Sequence, residues 1–199
     1  MELARERVIP RNLWLLHEMS VVAGLAALTA LCARVAIPLP WTPVPATLQV
    51  AAVIFSGAAA GPWRGVFSQA LYLLLGMMGL PVFAQPLSAG PSIMLDPTLG
   101  YLIAFPLASY LAGRWRSRFF GLAGAGLGLL AIYLVGGLWL FGWAAATGNT
   151  PSLAWTLWAG VLPFVPFDIA KAVVAVAGAR PFVPGVTRAG RPPSGSDPE

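Results

Sequence analysis

Residues 119–143 read FFGLAGAGLGLLAIYLVGGLWLFGW, and this stretch decides the fold class. Its 25 residues include no Asp, Glu, Lys, Arg or His. A helix needs about 20 such residues to cross the hydrocarbon core of a bilayer. Its glycines, Gly121, Gly124, Gly126, Gly128, Gly136 and Gly137, predict close helix–helix contacts. The rest of the chain agrees. Of 199 residues, 58% are apolar and 10% charged, against about 25% charged in soluble domains. Nineteen charged residues, 12 basic and 7 acidic, cannot cover a soluble globule. A disordered chain is excluded too, because it would be rich in charge and poor in aromatics.

Working outward, further apolar runs lie at about 14–33, 46–60, 65–79 and 98–113. A last run, 151–179, is longer than one span needs, and Pro163 and Pro166 interrupt it. It predicts a short helix before the prolines and a sixth span after them. The segment 81–97 holds four prolines and cannot be one regular helix. No cleavable signal peptide is expected, since the first apolar run is too long for one. The fold expected is an all-α membrane protein with six transmembrane helices in a single domain, 1–183. The Pro/Gly/Ser-rich tail 184–199 is expected to be disordered.

The net charge of +5 is not a nucleic-acid footprint, because the basic residues sit singly or in small groups at the ends of apolar runs. With six spans, Arg5, Arg7, Arg11, Arg64, Arg114, Arg116, Arg118, Arg180, Arg188 and Arg191 fall on one face. The opposite face has only Arg34. The positive-inside rule then puts both termini in the cytoplasm. The outer connections, 34–45, 80–97 and about 144–150, include two that are dense in proline and poor in charge. They are either rigid walls of a pocket or short turns at the interface.

Ionisable groups at membrane depth are costly and mark functional sites. Asp168 and Lys171 are three apart, on one helix face, just after Pro166. Asp168 then lies in the first turn, where the helix dipole favours a carboxylate. Lys171 is the only lysine beside eleven arginines, so the position calls for a compact ammonium. A merely neutralising buried pair is the alternative, yet such pairs are weak sources of stability. Asp96 is a lesser candidate near a helix start. Ala23 with Ala27, and Ala26 with Ala30, form small-xxx-small spacings that suit either packing within the chain or a partner helix. His17 reads as interfacial. The lone Cys32 reads as a small apolar residue, and no disulfide within the chain is possible. No metal-ligand cluster and no phosphate loop are evident, so no cofactor is expected, and if uptake is driven by ATP, other subunits must supply the energy.

Several motifs together resemble one family. Residues 37–49 read IPLPWTPVPATLQ, residues 71–84 read LYLLLGMMGLPVFA, residues 100–108 read GYLIAFPLA, and residues 163–171 read PFVPFDIAK. In this order, across about residues 20–180, they resemble the BioY family. These are the substrate-binding S components of energy-coupling factor (ECF) biotin transporters. The resemblance implies an ECF S-component fold with both termini inside, in the cytoplasmic membrane of a prokaryote. It implies an outward-facing biotin pocket. It implies a transmembrane coupling protein and two cytosolic ATPases as partners, with Ala23, Ala26, Ala27 and Ala30 on the docking helix. No enzymatic activity is expected. In such a site Lys171 can pair with a carboxylate or a ureido carbonyl, and Asp168 can accept a ureido N–H. Which end of biotin meets the pair stays open. Gln85 adds a donor and an acceptor. Phe83, Trp41, Tyr101, Trp139 and Trp143 are candidate walls. The rival readings are a solitary facilitator of another small organic acid and an intramembrane enzyme, for which no nucleophile–base pair is apparent.

Overall fold

The computed structural model describes residues 11–84, 90–117 and 120–183. Gln85, Arg5, Arg7, Arg118, Arg188, Arg191 and the tail 184–199 lie outside the described residues. The described residues form eight α-helices. They are α1 (Arg11–Ala33), α2 (Gln49–Ala60), α3 (Pro62–Met77), α4 (Leu99–Ile103), α5 (Phe105–Arg114), α6 (Gly121–Ala146), α7 (Leu153–Gly160) and α8 (Val165–Ala179). Two of them, α1 and α6, are each long and apolar enough to cross a bilayer. Helices α7 and α8 make a third candidate span, bent by 46°. The bend falls at the break 161–164, where Pro163 cannot donate the hydrogen bond to Ala159 that would continue α7, and Pro166 sits in the first turn of α8.

Three expected elements differ. Residues 46 and 47 were expected to open the second span. Instead Ala46–Thr47 is a strand (β2) paired antiparallel with Ala36–Ile37 (β1), with Ala36 opposite Thr47 and Ile37 opposite Ala46. Pro43 and Pro45 favour extended backbone and delay the helix to Gln49. The expected loop 34–45 is therefore most of a short hairpin. The expected span 98–113 is divided at Ala104 into α4 and α5, and Pro106 sits in the first turn of α5. Of the expected irregular stretch 81–97, the described residues 81–84 and 90–97 hold no α-helix and include a 3₁₀ turn at Gly90–Leu95.

Helix α2 is the hub, packing on α1, α3, α5 and α8 and touching α6. Gly57 permits this, since a Cβ there would overlap the Ser109 carbonyl oxygen of α5. Gly61, at φ 96°, then turns the chain within one residue into α3. The α6 glycines behave unevenly. Gly124 and Gly128 back directly onto α5, and Gly136 onto the Tyr101 ring. Gly126 faces open space, so its expected helix contact is absent. A buried polar cluster ties α1, α2 and α3, with the Gln69 amide bonded to Thr29, Ser56 and Ser68.

The two ends of the bundle differ in chemistry. At one end Arg64 holds Glu18 of α1 through both guanidinium branches, and Arg116 Nη1 donates to Ala59 O at 2.9 Å. Glu18 is thus a charged residue within the apolar run of α1, paired across to α3. At the other end Arg34 donates to the Pro81 carbonyl and joins the hairpin to the connection that follows α3. Asp96 Oδ1 accepts from the Thr98 amide (2.9 Å) and hydroxyl (2.7 Å). That makes Asp96 the support of the turn entering α4. His17 is exposed, and Cys32 is half-buried.

Candidate functional site

The site forms where the hairpin, α4, α6 and the start of α8 meet. Pro166 is the second residue of α8, and Asp168 lies in the same first turn. Asp168 is only 4% exposed. Its Oδ1 accepts from Lys171 Nζ at 2.8 Å, and its Oδ2 accepts from the Tyr133 hydroxyl at 2.8 Å. Lys171 Nζ also donates to the Thr47 carbonyl at 2.7 Å. The carboxylate and the ammonium thus each have two partners, as burial requires. A third Lys171 proton and further carboxylate lone pairs remain for a ligand.

These groups line a cavity of about 60 Å³ with Gln49, Tyr101 and Phe164 among its other walls. Small-molecule pockets hold about 300 Å³ or more, so this cavity is contracted. The Thr42 hydroxyl on the hairpin donates to the Ala159 carbonyl and closes the hairpin over α7. A second, apolar hollow of about 360 Å³ lies on the other face of β2, lined by Ile37, Trp41, Phe167 and their neighbours. It shares Thr47, Phe164 and Lys171 with the first.

The expected site residues divide. Asp168, Lys171 and Tyr101 are brought together. The Tyr101 hydroxyl donates to the Gly160 carbonyl at 2.9 Å, and its ring fills the space left by Gly136. Trp41 lines the outer hollow instead. Phe83 is buried behind Tyr72 and does not reach the cavity. Trp139 and Trp143 are not walls of it either. Their indoles donate to the Asp96 and Leu95 carbonyls at 2.9 and 2.8 Å and hold the 3₁₀ turn to α6. Gln85 lies outside the described residues. On α1 the alanines part company, with Ala26 buried and Ala30 turned towards the core, while Ala23 and Ala27 face outward.

Tyr133, Thr47 and Gln49 were missed. A signal for each existed. Tyr133 carries the only hydroxyl in α6. Thr47 and Gln49 close the proline-rich motif, where polar side chains follow an apolar run. Tyr133→Phe is expected to weaken ligand binding about threefold to tenfold, because it frees one Asp168 oxygen from its neutral donor. Titration of the purified variant checks this, and unchanged affinity would remove Tyr133 from the site.

The profile described as the BioY family matches residues 6–188. The chain belongs to the BioY family. Among its relatives is a protein of Pyrococcus horikoshii named probable biotin transporter BioY, 43% identical over 159 residues, covering 80% of this chain and 91% of that one. Another is the biotin transporter BioY of Thermotoga maritima, 38% identical over 160 residues, covering 78% and 89%. The fold resembles the crystal structure of the S-component for biotin from an ECF-type ABC transporter. The TM-score is 0.74 at 26% identity, covering 87% of this chain and 93% of that one.

Proposed function

We propose that this protein binds biotin and serves as the S component of an ECF transporter in the cytoplasmic membrane. The carrying observation is the Asp168–Lys171 pair, completed by Tyr133 and Thr47, in the wall of a cavity in a chain of this family. The pair is neutral as a whole. A ureido ring, with N–H donors and one carbonyl, complements it without adding charge. A carboxylate there would put two anions on one ammonium and leave a net negative charge at membrane depth. The ureido end therefore meets Asp168 and Lys171, and the acid tail points away. Entry of the ligand requires the hairpin to lift from Ala159, since the contracted cavity has no room for it.

The reading includes six crossings, formed by α1, α2, α3, α4 with α5, α6, and α7 with α8. Helix α2 contributes only about 18 Å at 1.5 Å per residue. The hairpin completes that crossing, with its backbone groups paired to each other and to Lys171. Arg64 and Arg116 at one end of the bundle and Arg34 at the other support the orientation with both termini inside. Ala23 and Ala27 form the outward strip on which a coupling protein docks, and ATPase subunits would act through it. No observation favours a different organic acid.

Equilibrium titration of labelled biotin on detergent-purified protein, with lipoate as competitor, tests the reading. Saturable binding that lipoate does not displace is expected, and absence of binding would end it. In the same preparations Ala27→Trp should retain biotin binding while losing co-purification with the coupling protein. Intact co-purification would move the docking face elsewhere.

A further inference from the structure

From Lys171 a polar chain, half-buried at its start and buried at its end, runs away from Asp168 towards α3, and ligand contact does not account for it. Lys171 Nζ rests on the Thr47 carbonyl. The Thr47 hydroxyl donates to Gln49 Oε1 at 3.0 Å, and the Gln49 backbone N–H donates back to that hydroxyl at 3.3 Å. Gln49 Nε2 donates in turn to the Tyr72 hydroxyl. Thr47 and Gln49 line the cavity, whereas Tyr72 does not. Tyr72 is fully buried, with 0% exposure. Its ring meets the edge of Phe83 at 5.4 Å between centroids and stacks on Phe105 at 6.4 Å. Phe83 is itself seated where a Cβ on Gly76 would overlap it. The ring is thus held on two sides, and its hydroxyl has one fixed direction.

The mechanical need is local. Lysine carries its charge on a flexible four-carbon stem, so its position depends on its acceptors. One acceptor, the Thr47 carbonyl, belongs to a two-residue strand. So short a pairing is marginal alone and needs support from its surroundings. Tyr72, through Gln49, supplies it from a rigid helix.

We propose that Tyr72 is a positioning residue for ligand binding, acting through Gln49 and Thr47 to hold the carbonyl on which the Lys171 ammonium rests. The proposal builds on the reading of Asp168 and Lys171 as the ligand site. Tyr72→Phe keeps both ring contacts and removes only the hydroxyl.

The experiment titrates biotin on the full-length protein in four forms: wild type, Tyr72→Phe, Lys171→Met and the double variant. Tyr72→Phe should weaken binding about tenfold in the wild-type background and less than about twofold beside Lys171→Met, where the ammonium it serves is gone. A role in general folding or in direct ligand contact predicts the same factor in both backgrounds, and that result overturns the proposal. So does unchanged affinity of Tyr72→Phe alone. Where Lys171→Met binds too weakly to titrate, Gln49→Leu takes its place. The Gln49→Leu, Tyr72→Phe double variant should then bind no more weakly than Gln49→Leu, and multiplied losses overturn the relay. A wild type that binds no biotin removes the functional reading and this proposal together. A wild type that binds, with independent effects of the variants, removes only the role of Tyr72.

Discussion

Replacing Lys171 with alanine is expected to weaken biotin binding at least tenfold, about 1.4 kcal/mol, and to destabilise the protein. The ammonium holds one oxygen of a carboxylate that is nearly sealed from solvent. Without it Asp168 keeps only the neutral Tyr133 hydroxyl. Breaking a buried pair from one side costs about 3–5 kcal/mol, because an uncompensated charge stays behind. The Thr47 carbonyl loses its partner as well, which loosens the hairpin that roofs the cavity. Asp168→Asn orphans the ammonium instead, but Lys171 is less deeply buried than Asp168 and keeps the Thr47 carbonyl, so this change should weaken binding by a similar factor and destabilise less. Titration and thermal unfolding of both variants separate the two effects. Wild-type affinity in either folded variant would dismiss the site.

Gly57→Ala is expected to damage the fold severely, since among the described glycines its added Cβ makes the closest overlap with backbone. The new Cβ would overlap the Ser109 carbonyl oxygen and lie 2.9 Å from the Gly113 nitrogen. Both neighbours are backbone of α5 and cannot swing aside as a side chain would. Helices α2 and α5 must separate, and overpacking of this kind costs about 3 kcal/mol. For a chain of this size that lowers the unfolding midpoint by about 6–12 °C. Gly126→Ala on α6 is the control, since nothing lies within 4 Å of its Cβ position. An unfolding midpoint for Gly57→Ala equal to that of Gly126→Ala would refute the close α2–α5 approach.

The architecture follows from local chemistry to different degrees. Long helices without charge, α1 and α6, need only composition and length to be recognised. The break between α7 and α8 needs only two prolines. The hairpin escaped because four residues of strand lie within an apolar, proline-rich run, where neither helical nor alternating periodicity has room to show. The division of α4 from α5 escaped because a proline in the first turn of one helix and a proline within a longer helix look alike in sequence. On α1 the spacing of Ala23, Ala26, Ala27 and Ala30 shows that small residues share a side of the helix. It does not show how the helix is rotated against the bundle, which decides that Ala26 packs inward and Ala27 faces out.

By itself the sequence determined the solvent of this protein, the helical material of its fold and the Asp168–Lys171 pair. Each depends on residues within a few positions of one another: an uncharged run, a proline, an i, i+3 spacing. Only the tertiary structure decided what completes the pair. Tyr133 reaches Asp168 from 35 residues away, and Thr47 reaches Lys171 from 124. Such contacts are set by how helices rotate and cross when they bury their apolar faces, and a local pattern carries no record of that rotation.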